Sequence, residues 1–142
     1  MTLAATRAYT WVASLGMLAH GGSTLAALLV PALDRAMPAL LQQTQMVLAH
    51  SLLHIGTGLV GLAALATGSS GGTGGTVWPW RFAAGFGLFY VALAVAGERS
   101  GAPLCLGLKP FDHSFHAVLG GIGLLAAGID QLRAHWAARR QA

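Results

Sequence analysis

The sequence predicts an all-α fold, a polytopic membrane four-helix bundle, and three observations predict it. Only 8% of the 142 residues are charged and 55% are hydrophobic, against about 25% charged in soluble domains. A surface so poor in charge faces lipid, and the mean hydropathy of +0.64 agrees. Four apolar stretches approach the length of about 20 residues that crosses a hydrocarbon core. Glycine is abundant, with 20 residues. In water that would weaken helices, but between membrane helices small residues let backbones approach closely. The length allows one transmembrane domain, residues 1–142.

The first segment runs from about Tyr9 to Val30 and ends at Pro31. Arg7 ahead of an apolar run is the start of a signal-peptide pattern. The run continues, however, without a small-x-small cleavage site and contains His20, so a retained helix is expected. The second segment covers about 45–67, behind the polar collar Gln42-Gln43-Thr44-Gln45. The third covers about 80–97 and the fourth about 111–132. Gly68 to Val77, a Gly/Ser/Thr tract without apolar periodicity, is expected as a surface loop. Trp11, Trp78, Trp80 and Trp136 stand near segment ends, which is the pattern of an aromatic belt.

Four crossings put both termini and the Gly-rich loop on one side, with Arg7, Arg81, Arg133, Arg139 and Arg140. The other side receives the loops Pro31–Leu41, with Pro38 inside it, and Glu98–Pro110. Those loops carry Arg35, Arg99 and Lys109, offset by Asp34, Glu98 and Asp112. The asymmetry favours cytoplasmic termini in a bacterial inner membrane. The net charge of +4 is scattered over segment ends, with no cluster that could track a phosphate backbone, so nucleic acid is not expected as a partner. Cys105 is the only cysteine; it can form no internal disulfide and reads as a bystander thiol.

One motif stands out. His54-x3-Gly58-x2-Gly61-Leu62-x-Ala64 recurs 62 positions later as His116-x3-Gly120-x2-Gly123-Leu124-x-Ala126. The copies lie two segments apart and so run in the same direction. The chain therefore reads as two helical hairpins, a parallel repeat about a pseudo-two-fold axis.

Residues three or four apart share a helix face. His50, His54, Gly58 and Gly61 line one stripe, Asp112, His116, Gly120 and Gly123 a second, and Gly16, His20 and Thr24 a third. Each of His20, His54 and His116 then has a glycine one turn toward the cytoplasmic side, leaving bare backbone for a flat ring to lie against. At a rise of 1.5 Å per residue, His20 and His54 fall about 15 Å below the outer surface and His50 and His116 within roughly 8 Å. His113, Asp112 and Glu98 fall at the outer boundary, where Glu98–Arg99 and Asp112–His113 are the expected ion pairs. His135 is expected on the surface near the arginines.

An ionisable group inside a bilayer is costly and needs a partner or a role. This stripe admits three roles. The first is haem b, ligated by His20 with His54 or by His50 with His116, over Gly16, Gly58 and Gly120. The second is a transition metal such as zinc or copper on His50, His54, His113 and His116, with Asp112 or Glu98 in reach. The third is structural, each imidazole hydrogen-bonding across helices to a carbonyl, to Ser14, Ser23, Thr57 or Tyr90, or to a carboxylate. No GxSxG or HExxH motif occurs, so hydrolytic chemistry finds little support and a binding or accessory protein is expected rather than an enzyme. A His/Asp proton path is conceivable, but four helices are few for a transporter.

His54-x3-Gly58-x2-Gly61, Gly85-x-Gly87-Leu88-x-Tyr90 and Asp112-x3-His116-x3-Gly120, over about residues 45–128, resemble an uncharacterised family of small bacterial four-helix integral membrane proteins. The resemblance implies the four-helix fold and no activity. His20, His50 and the Gly/Ser/Thr loop lie outside its pattern. The expected function is binding of haem or a metal ion through outer-half histidines, as an electron-transfer or pigment-complex subunit. The alternative is a cofactor-free accessory subunit whose small-residue faces dock onto a larger membrane complex or onto copies of itself.

Overall fold

Each of the four apolar segments folds as one α-helix, and each is long and apolar enough to cross a membrane. The computed structural model describes residues 4–36, 43–67, 77–100 and 103–141. Gln42, Pro38 and positions 68–76 of the Gly-rich tract lie outside the described residues. In chain order the elements are α1 (Ala4–Leu29), the short α2 (Pro31–Ala36), α3 (Leu48–Thr67), α4 (Val77–Ser100), a 3₁₀ turn (Pro103–Cys105) and α5 (Pro110–Arg139). Among the described residues there are no strands.

The boundaries differ from the sequence expectation for local reasons. Pro31 lacks an N–H and disfavours helix at Val30, so α1 stops there and α2 restarts with the proline at its first position. α1 begins at Ala4 rather than Tyr9 because Asp130 of α5 supplies acceptors for its first N–H groups. The backbone N–H of Thr6 donates to Oδ2 at 2.9 Å, the Thr6 hydroxyl to the same oxygen at 2.8 Å, and the Ala5 N–H to Oδ1 at 3.4 Å. α4 starts at Val77, since Pro79 is tolerated in a first turn. α5 winds on to Arg139, past the apolar stripe that ends near Leu132, because the Ala and Arg residues there are good helix formers without a buried face. α3 starts at Leu48, and residues 45–47 form an irregular strap before it.

α1 packs on α3 and α4 on α5, as two antiparallel hairpins that meet through α1 against α5 and α4 and through α3 against α4. α3 and α5 consequently stand across the bundle from one another. Small residues set the hairpin spacing. A Cβ on Gly58 would lie 2.6 Å from Leu18 and 2.8 Å from the Ser14 carbonyl, and one on Gly120 would lie 2.7 Å from the Gly87 carbonyl. These glycines are filled by the neighbouring helix. The room for a flat ring that the motif suggested is therefore taken up by backbone. Gly16 corrects the reading of α1 further. It is exposed, with nothing within 4 Å of an added Cβ. The buried face of α1 runs instead through Thr10, Ala13, Ser14, Met17, Gly21 and Thr24.

The core holds Met17, the aromatic ladder Phe82–Phe86–Tyr90 (centroids 5.2 and 4.2 Å apart) and alanines from α1, α3, α4 and α5. Val12, Leu88, Val118 and Leu125 point outward, as expected where lipid replaces water. Trp11, Trp78 and Trp136 are exposed at the end bearing the termini. Trp80 is not a surface anchor. Its indole N–H donates to the Ala127 carbonyl at 3.0 Å and ties α4 to α5.

Candidate metal centre

The i, i+4 spacing of His50 and His54 puts both on the buried face of α3, and His116 stands on the buried face of α5. The three side chains reach across the centre of the bundle and meet. Ring centroids are 4.6 Å apart for His50–His54, 5.4 Å for His50–His116 and 5.8 Å for His54–His116. Each residue is at most 1% exposed. One nitrogen from each ring lies within 4.8 Å of the other two. Members of the two pairs expected at different depths thus share one cluster, because His50 and His54 are one turn apart on α3 and helix packing brings His116 up against both.

Among the described residues, none of the six imidazole nitrogens of this trio has a hydrogen-bond partner. The hydroxyls proposed from sequence as partners do not bond to the trio. The Tyr90 ring lies 4.7 Å from His116 and 6.1 Å from His54, but its hydroxyl donates to Met17 Sδ at 3.6 Å. Ser23 donates to the His20 carbonyl, Thr57 to that of Leu53, and Ser14 Oγ is itself without a partner. Leaving one buried polar atom unsatisfied costs about 1–3 kcal/mol. Three adjacent imidazoles in that condition are a substantial liability to the fold.

Two further histidines were expected near the site, and the structure separates them. His20 adjoins the trio, its ring 5.4 Å from that of His54 and 6.4 Å from that of Phe115, and it is half-buried at the edge of α1. Its Nε2 lies 3.1 Å from the Thr44 carbonyl. His113 is not in the group. It turns to the α4 side of α5, where its Nδ1 is 3.1 Å from the exposed Glu98 carboxylate and its ring packs on Gly97. The rim pairs accordingly differ from expectation. Glu98 pairs with His113 rather than Arg99. Asp112, which is buried, accepts the Lys109 backbone N–H at 2.7 Å and caps α5. His135 is exposed, as expected.

Two irregular segments close the trio's end of the bundle. Met46 from the strap before α3, and Leu106 and Leu108 from the segment before α5, are buried. The latter two pack with Leu93 and Leu53. Gly107 adopts a left-handed conformation (φ +58°) that brings it against Val47, and Lys109 Nζ donates to the Gln43 carbonyl at 3.3 Å.

Sequence reasoning missed Asp130, the buried carboxylate at the opposite end. A lone Asp near the end of an apolar segment gives no signal until the fold sets it beside the start of α1.

Chemically, the trio offers three neutral nitrogen donors and no oxygen ligand. Imidazole suits zinc, copper, iron and nickel, whereas calcium and magnesium need oxygen cages. The chain as a whole matches no family model, no curated protein and no solved structure.

Proposed function

We propose that this is a multi-pass membrane protein that binds a transition-metal ion, zinc or copper, through His50, His54 and His116. The observation that carries this reading is the set of converging, fully buried imidazoles without hydrogen-bond partners. A metal satisfies one nitrogen of each ring at once. At Zn–N distances of about 2.0–2.1 Å, tetrahedral ligation puts neighbouring nitrogens about 3.4 Å apart and imidazole centroids about 5 Å apart. The centroid separations of 4.6, 5.4 and 5.8 Å bracket that value, and binding would draw the nitrogens, now within 4.8 Å of one another, closer by side-chain rotation.

A single ion fits better than haem b. A macrocycle ligated by any two of these rings would have to displace the third, and Gly58 and Gly120 are already filled by helix packing. The placement of His54 and His116 on diagonal, parallel helices supports descent of the two hairpins from one duplicated unit. Cytoplasmic termini in a bacterial inner membrane, and assembly with copies of itself or with a larger membrane complex, belong to the same proposal. They rest on the arginine asymmetry and on the outward-facing small residues.

Metal analysis and oxidised and reduced absorption spectra of the detergent-purified protein test it. Stoichiometric zinc or copper, lost in His54→Ala and in His116→Ala with membrane insertion retained, is expected. A Soret band would move the assignment to haem, and a folded, metal-free protein that takes up no added metal would leave the accessory-subunit reading.

A further inference from the structure

A tetrahedral ion held by His50, His54 and His116 would leave one corner open, and a fourth imidazole, His20 of α1, stands beside His54. From its position and its hydrogen bond we infer that His20 is the fourth ligand of this metal site, coordinating through Nδ1. The inference rests on the reading of the trio as a metal centre.

The tautomer follows from one contact. A carbonyl oxygen only accepts, so at 3.1 Å from the Thr44 carbonyl the His20 Nε2 carries a proton and donates it. In a neutral imidazole the other nitrogen then keeps its lone pair. A ring that donates one N–H to a backbone carbonyl and presents the other nitrogen to a metal is the usual arrangement of a ligating histidine. Among the described residues, His20 is the only one of the four rings given that outer partner, since both nitrogens of each trio ring lack one.

The His20 centroid lies 5.4 Å from that of His54, close to the value of about 5 Å for neighbouring imidazoles of a tetrahedral site. It stands outside the three rings whose nitrogens converge within 4.8 Å, so ligation would draw it inward. His20 is also half-buried where the trio is sealed, so it is the corner from which an ion can arrive. The carbonyl that holds it belongs to Thr44, in the turn that leads into the strap. Gln45 fastens that strap to Asp34 at 2.9 Å, and Gln43 fastens it to Lys109 at 3.3 Å. Ligation would therefore join α1, α3, α5 and the strap at one point.

The test uses Co(II) as a spectroscopic stand-in for zinc in the full-length protein in detergent. Wild type should give the intense visible ligand-field bands of a tetrahedral nitrogen site. His20→Gln retains a side-chain N–H for the Thr44 carbonyl but supplies no imidazole. It should still bind Co(II), with affinity lower on the order of ten-fold or more and with the bands weakened as water takes the fourth position. His20→Ala should do the same, and thermal unfolding of the metal-free variants shows that they are folded. Unchanged Co(II) bands and affinity in both variants would overturn the role of His20 while leaving the trio intact. No Co(II) or zinc uptake by wild type would overturn the trio and His20 together.

Discussion

His54 and His116 occupy equivalent positions in two copies of one motif, on helices that stand diagonally across the bundle, and their rings meet at 5.8 Å. His50, one turn from His54, completes the cluster. The arrangement places imidazole where hydrocarbon would pack at no cost in unpaired polar atoms, and that cost is what makes the site informative.

A structural histidine and a metal-binding one respond oppositely to an apolar replacement. His54→Leu keeps the volume and removes two unpaired nitrogens. In metal-free protein it should leave stability unchanged or raise it by about 1–3 kcal/mol. The zinc-dependent rise in Tm, about 2.7 kcal/mol of stabilisation at a hundred times Kd, should disappear. Thermal unfolding with and without zinc reads both effects. A large loss of stability in the metal-free variant would mean that the imidazole holds the helices by itself.

Asp130 should matter as much to the fold as any core residue, although it lies far from the histidines. It accepts from two backbone N–H groups at the start of α1 and from the Thr6 hydroxyl. Asp130→Ala leaves those donors unpaired and should cost about 2–3 kcal/mol. Hydrogen exchange should localise the damage to the first two turns of α1. Arg133, 3.7 Å away and mostly exposed, should contribute less than about 1 kcal/mol when replaced by Gln.

The glycines divide by environment rather than by motif. Gly120→Ala drives a methyl to 2.7 Å from the Gly87 carbonyl and 2.9 Å from the Val91 amide nitrogen, an overpacking that should cost about 1–3 kcal/mol. Gly16→Ala meets open space and should be neutral or stabilising by less than about 1 kcal/mol. Equal effects of the two substitutions would contradict the packing described.

Orientation has a direct test, because Cys105 is the only cysteine and is exposed at the end of the bundle opposite the termini. With cytoplasmic termini, a membrane-impermeant maleimide added to sealed cells or right-side-out vesicles should label wild type and not Cys105→Ser. Labelling only after permeabilisation would invert the topology.

The sequence by itself determined the fold class, the four helices and two of the three buried stripes. Low charge and long apolar runs leave a membrane chain no alternative to helices, since each backbone group must pair within its own segment. The α3 and α5 stripes were legible because histidine and glycine recur at helical spacing and face inward as a set. The α1 face was not legible, because its buried side carries small polar residues, Thr10, Ser14 and Thr24, while apolar residues such as Val12 and Leu15 face outward. Gly21, where an added Cβ would lie 2.8 Å from the Ser51 carbonyl, and not Gly16, faces α3. Only the tertiary structure decided which histidines meet, since crossing helices bring His116 to His50 and His54 while turning His113 to Glu98. It alone paired Asp130 with residues at the other end of the chain. Spacing along one helix fixes a face, but contact between helices depends on how those faces are rotated and crossed in space.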